Sequence, residues 1–101
     1  MKDNMELKIK AIHFDASEKL EKFIEKKAEK LTRLNENVGE IEVTLKVVKP
    51  ETANNKEAAV KVAMRSQADL FASKVANTFE EAVDSAIDAL KPQLEKAKKE
   101  K

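Results

Sequence analysis

The chain has 101 residues, 20 Lys+Arg against 19 Asp+Glu, 42% hydrophobic residues and no cysteine. That length holds one domain with a modest core, and a net charge of +1 argues against the large basic excess usual in generic nucleic-acid binders. The lack of cysteine excludes disulfides and thiolate metal sites, and no apolar run is long enough to suggest secretion or membrane spanning, so a cytoplasmic location is expected.

The first segment, MELKIKAI, alternates Met5, Leu7, Ile9 and Ala11 with Glu6, Lys8 and Lys10, which predicts a strand with one covered face. After HFDA, Ser17 is placed to cap a helix on which Leu20, Phe23, Ile24, Ala28, Leu31 and Leu34 recur at helical spacing. NENVGE ends that helix, with the single glycine, Gly39, just ahead of the next strand. IEVTLKVV then sets Ile41, Val43, Leu45 and Val47 on one face, and Pro50 with ETANNK predicts a loop. EAAVKVAMR reads as a third strand with Ala58, Val60, Val62 and Met64 inward. DLFASKVA reads as a fourth, whose inner face is either Leu70 with Ala72 or Phe71 with Val75. Thr78 and Glu81 have capping-box spacing and open a second helix with Phe79, Val83, Ala86, Ile87, Leu90 and Leu94 on one stripe.

The order β-α-β-β-β-α predicts a single α+β domain over residues 1–101. A strand–helix–strand crossover makes the first two strands parallel, and short connections make the others antiparallel. One apolar face per strand calls for a four-stranded mixed sheet with both helices on the same side. Pro92 is expected to kink or break the second helix, leaving about 92–101 as a basic end that frays beyond Ala97.

Near-neutrality hides a sorted surface. On the first helix Lys19, Lys22, Lys26, Lys30 and Arg33 share one arc beside the apolar stripe, while Glu18, Glu21, Glu25 and Glu29 share another. The second helix opens with Glu80, Glu81, Asp84 and Asp88, and Lys91, Lys96, Lys98, Lys99 and Lys101 crowd its end. Two readings fit: a solvated face serving solubility and i,i+4 pairing, or a track of cations for a phosphate backbone. In the second reading, lysines on two adjacent helices form a groove that gives affinity without base specificity.

Other chemistries find little support. His13 is the only histidine and has no cysteine to join it as a ligand; a lone strand-end histidine usually packs or hydrogen-bonds. The carboxylates lie on helix faces among lysines, with no apolar pocket to perturb them. One glycine cannot cradle a phosphate. Tyrosine and tryptophan are absent, and of four phenylalanines Phe14, Phe23 and Phe79 are expected in the core, so a base-stacking platform is not expected. No enzymatic activity, cofactor, metal or small-molecule substrate is expected.

Three segments together resemble one family: IHFDASEKLEKFIEKKAEKLTRL, LFASKVANTFEEAVDSAIDAL and QLEKAKKE. The chain, from about Met5 to Lys99, resembles the ribosome hibernation-promoting factor family, also called ribosome-associated inhibitor A or sigma-fifty-four modulation proteins. The resemblance implies a fold similar to a double-stranded RNA-binding domain with an added strand. It implies a translation inhibitor of stress and stationary phase that sits in the tRNA and mRNA channel of the small ribosomal subunit. By position it implies rRNA contacts from Lys26, Lys27, Lys30 and Arg33 on the first helix and from Lys91, Lys96 and Lys98 at the end of the second; Lys19, Lys22 and Lys99 join them from the charge pattern. The chain departs from the family at Ala11-Ile12, where many members have glycine and a basic residue, and at Pro92, where arginine is frequent. It resembles the short form, so a monomer off the ribosome is expected and ribosome pairing would need a separate dimerising factor. A general RNA-binding module and a protein–protein modulator remain alternatives.

Overall fold

One apolar face per strand and one stripe per helix can leave water together only if the helices share a single side of the sheet. The computed structural model describes residues 6–48, 54–65 and 68–99, with side chains described up to Lys96. Met5, the segment around Pro50, Lys101 and the side chains of Lys98 and Lys99 lie outside the described residues. The elements are β1 (Glu6–Ala11), α1 (Glu18–Leu34), β2 (Val38–Val47), β3 (Lys56–Met64), β4 (Leu70–Ala76) and α2 (Phe79–Lys99). They build one four-stranded sheet in the order β1-β2-β3-β4, parallel between β1 and β2 and antiparallel elsewhere. This is the expected α+β architecture.

The core lies between the sheet and the two helices. Ile41, Val43, Leu45, Ala58, Val60 and Val62 are buried from the strands, and they meet Ile24, Ala28 and Leu31 of α1 and Val83, Ala86, Ile87, Leu90 and Leu94 of α2. Each of the larger side chains contributes about 1.5–3 kcal/mol by leaving water. Phe14 and Phe79 stack with centroids 5.0 Å apart where the two helices begin.

Register resolves the ambiguity in β4. Leu70 pairs with Val62 and Ala72 with Val60, so Leu70, Ala72 and Ala76 pack against the core. Phe71 and Val75 therefore point away from the helices, 59% and 46% exposed. Val47 has the expected phase but sits at the end of β2, where it stays exposed. The glycine is not a strand boundary: β2 already begins at Val38, and Gly39 lies inside it where the pairing register shifts between Val38 and Glu40.

The helix ends are set by side chains. Ser17 Oγ accepts the Leu20 N–H at 3.1 Å, and Thr78 Oγ1 accepts the Glu81 N–H at 3.1 Å, so both expected N-caps form. At the other end of α1, Asn35 leaves the helix in an extended conformation (φ −153°, ψ 120°) and buries its amide, 4% exposed. Its Nδ2 donates to the Leu94 carbonyl of α2 at 3.1 Å, and its Oδ1 accepts the Asn37 N–H at 2.9 Å. The Phe14–Phe79 stack near both helix starts and the Asn35–Leu94 bond near both ends show that α1 and α2 run parallel.

Pro92 does not end α2, which continues to Lys99. Proline removes the N–H that would bond the Asp88 carbonyl, a loss that terminates a helix held only by its own ladder. Here the turn past Pro92 is also held from outside: Leu94 is fully buried, and its carbonyl receives the Asn35 amide.

Removing that amide should therefore loosen the end of both helices. Asn35→Ala is expected to lower unfolding free energy by about 1–3 kcal/mol in urea titration. Thr32→Ala, at a half-exposed position one turn earlier, should change it by less than about 0.5 kcal/mol.

Candidate nucleic-acid interface

The apolar stripe of α1 fixes where its charges go. With Leu20, Ile24, Ala28 and Leu31 buried, Glu21, Glu25 and Glu29 fall on the flank toward β1, where they overhang Leu7 and Ile9 in an open groove. Lys27 falls on the opposite flank and reaches α2, its Nζ 2.6 Å from Asp84 and 5.5 Å from the Phe23 ring centroid. Lys19, Lys22, Lys26, Lys30 and Arg33 lie between these flanks, exposed on the crest of the helix. None of these five forms an ion pair among the described residues.

The structure thus divides the nine lysines and one arginine singled out from sequence. Five form one continuous exposed ribbon on α1. Lys27 is a tether between the helices, and its ammonium is already satisfied by a carboxylate and an aromatic face. Lys91 pairs with Asp88 one turn away at 3.2 Å. Lys96 is exposed on α2 beyond the end of α1, while the side chains of Lys98 and Lys99 are outside the described residues.

Asp84 is the acid that sequence reading had not tied to a partner. Its carboxyl is held below its ordinary value, first by the hydrogen bond from Lys27, with smaller attractions from the Lys27, Lys30 and Lys91 charges working against its desolvation. The groove between the helices is therefore partly neutralised, and the crest of α1 carries a row of five exposed cations. That signal was absent from either helix alone, because the two residues are 57 positions apart.

Parallel helices also align their dipoles. Both N-terminal first turns carry acids, Glu18 and Glu21 on α1 and Glu80 and Glu81 on α2, while Arg33 closes α1 near the side of Lys91 and Lys96. Each helix end has the charge its dipole favours, and together the helices give the molecule a negative and a positive end.

The far side of the sheet differs in kind. Lys8 pairs with Glu40 at 3.4 Å, Lys10 with Glu42 at 3.0 Å, Lys46 with Glu57 at 3.8 Å and Lys61 with Asp69 at 3.8 Å. The Glu42 carboxyl is held below its ordinary value chiefly by its hydrogen bond with Lys10. These lysines are committed to neighbouring strands, so this face offers no row of unpaired cations. Among the described residues no group of three or more His, Cys, Asp and Glu side chains could hold a metal ion, and His13 is exposed with φ 68°.

A family model described as sigma 54 modulation protein / S30EA ribosomal protein matches residues 7–101. No curated protein matches the chain by sequence. Among solved structures the fold is similar to a ribosomal subunit interface protein from Coxiella burnetii, with a TM-score of 0.79 and 21% identity over 95% of this chain and 100% of that one. It is also similar to the N-terminal domain of Thermus thermophilus Protein Y, with a TM-score of 0.76 and 18% identity over 94% of this chain and 99% of that one.

The contrast between neighbouring lysines is testable. An aspartate with a lowered folded-state pKa contributes stability that is present above its ordinary value of 3.8 and is lost as pH falls through the folded value. Lys27→Met should flatten that acid limb and cost about 0.2–1 kcal/mol near neutrality, because the pair is partly exposed. Lys26→Met should leave stability and its acid limb unchanged. Denaturant titrations from pH 2 to 7 would measure both.

Proposed function

The chain belongs to the sigma 54 modulation protein / S30EA ribosomal protein family, and from that premise we propose that it is a ribosome-binding translation inhibitor, a hibernation factor rather than an enzyme. In this reading it acts in the cytoplasm and occupies the tRNA–mRNA channel of the small subunit, with the crest of α1 against rRNA. The observation that carries the proposal is the set of five exposed cations on α1 that form no ion pair among the described residues, while every described lysine on the far sheet face named above is paired. Such a ribbon follows phosphates through flexible stems and supplies affinity with little base specificity. Position on the ribosome would then come from shape as well as charge.

Lys19, Lys22, Lys26, Lys30 and Arg33 form the proposed contact, with Lys91, Lys96, Lys98 and Lys99 extending it along α2. Lys27 contributes indirectly, by holding α2 beside α1. The two similar structures, a ribosomal subunit interface protein and a Protein Y N-terminal domain, support the ribosomal reading over a general RNA-binding module.

Charge reversal separates a binding ribbon from a merely solvated one. Lys22→Glu, Lys26→Glu and Lys30→Glu together should abolish co-sedimentation with small subunits, whereas Glu18→Lys, Glu21→Lys and Glu25→Lys together should not weaken it. For the parent, the logarithm of affinity should fall with the logarithm of salt concentration. Replacing the same three lysines by alanine should reduce that slope by roughly 2–3. Equal binding by both reversed triples would leave the ribbon a solvated face.

Occupancy of the channel makes a separate prediction. Initiator tRNA and mRNA should displace the protein from small subunits in a competition sedimentation assay. Simultaneous binding would move the contact elsewhere on the subunit.

A further inference from the structure

Strand β4 closes one edge of the sheet and, among the described residues, pairs only with β3. Two of the four exposed large hydrophobic residues of the protein's described part lie on it, Phe71 at 59% and Val75 at 46%, and both point away from the helices. Ser73 stands between them on the same face, so the outward side of this strand carries no charge. An edge strand normally guards itself with charge, proline or a bulge. Here Leu70–Ala76 has no proline and one charged residue, Lys74.

We infer that β4 is a self-association edge: it pairs antiparallel with β4 of a second copy about a two-fold axis at Ser73, forming one continuous eight-stranded sheet. The occupant follows from the register. Antiparallel pairing that keeps both helical layers on the same side must centre on a residue that opposes itself, and opposed residues must share a face. Centring on Lys74 sets two ammonium groups directly opposite one another. Centring on Ala72 sets Phe71 against Ser73 and leaves Val75 opposite Asp69. Centring on Ser73 sets Phe71 against Val75 twice, Leu70 against Ala76 twice, and Lys74 against Ala72. That register alone covers both exposed apolar side chains and opposes no like charges.

The layer above the strand permits the approach. α2 packs over β3 and β4, and its flank away from Asp84 and α1 carries Ser85, Ala89 and Gln93, small or neutral side chains, with Lys96 on the same flank toward the helix end. The cation ribbon lies on α1 at the other side of the domain, so pairing through β4 leaves two ribbons exposed at opposite ends of the dimer. The proposed dimer departs from the expectation of a monomer off the ribosome, and it is argued independently of ribosome binding.

Sedimentation velocity of the full chain, without RNA, over micromolar to millimolar concentrations tests the inference. The parent should show a reversible monomer–dimer equilibrium. Phe71→Glu alone and Val75→Lys alone should each raise the dissociation constant at least about 10-fold, since every substitution enters a two-fold interface twice. The double variant should recover association, because the new carboxylate of one copy faces the new ammonium of the other, and its dimer should weaken as salt rises. Urea titration checks that all three variants fold, and co-sedimentation with small subunits checks that the α1 ribbon is intact. A parent that stays monomeric throughout would overturn the inference, as would a dimer indifferent to both single changes. Recovery absent in a folded double variant would overturn the Ser73 register.

Discussion

A sheet with one apolar face and two amphipathic helices has only one interior to share, and the rest of the structure follows from that constraint. β1 and β2 are parallel, so α1 must return along the sheet between them. β4 runs parallel to β2 through its antiparallel pairing with β3, so α2 returns in the same direction as α1. The helices are thereby side by side and parallel, with their N-termini at one end and their C-termini at the other. Aligned dipoles repel, and the acidic first turns and basic last turns relieve that repulsion where it is largest.

Sharing one interior also demands that the helices be held at a fixed offset. Two polar contacts supplement the apolar packing there. Lys27 and Asp84 join the helices near mid-length, and Asn35 ties the end of α1 to the carbonyl of Leu94. The second bond is the more consequential because it is buried and satisfies both ends of one amide. It also accounts for a helix that continues through Pro92: the lost ladder bond is local, while the restraint on the following turn is tertiary.

Charge on this protein is sorted by what each side chain can reach. The outward sheet face places lysines and glutamates on adjacent strands, close enough to pair across them. The groove between the helices places acids of α2 among lysines of both helices. Along the crest of α1 five cations form no ion pair among the described residues, while Glu21, Glu25 and Glu29 are turned toward β1. A chain of net charge +1 consequently presents an unneutralised basic ribbon. The same sorting leaves the outward face of β4, at the opposite edge, with neither charge nor cover.

Sequence alone determined the elements, their order and most of the core, because period-two alternation and helical spacing report burial directly in segments as regular as IEVTLKVV and the α1 stripe. It also located both N-caps and the ribbon on α1, which are local properties of one helix. It left the phase of β4 open, because Leu70, Phe71, Ala72 and Val75 offer an apolar residue to either face, and only pairing with Val60 and Val62 selects one. Gly39 read as a strand boundary because its local freedom was visible and its place in the β2–β3 ladder was not. Pro92 read as a helix breaker because the missing N–H is encoded locally, whereas the Asn35 amide that steadies the next turn comes from 59 residues earlier in the chain. Lys26 and Lys27 are adjacent and chemically identical in the sequence. Tertiary structure made one a surface cation and the other an interhelical tether, because a 100° turn of the helix carries the second toward Asp84 and the first toward water.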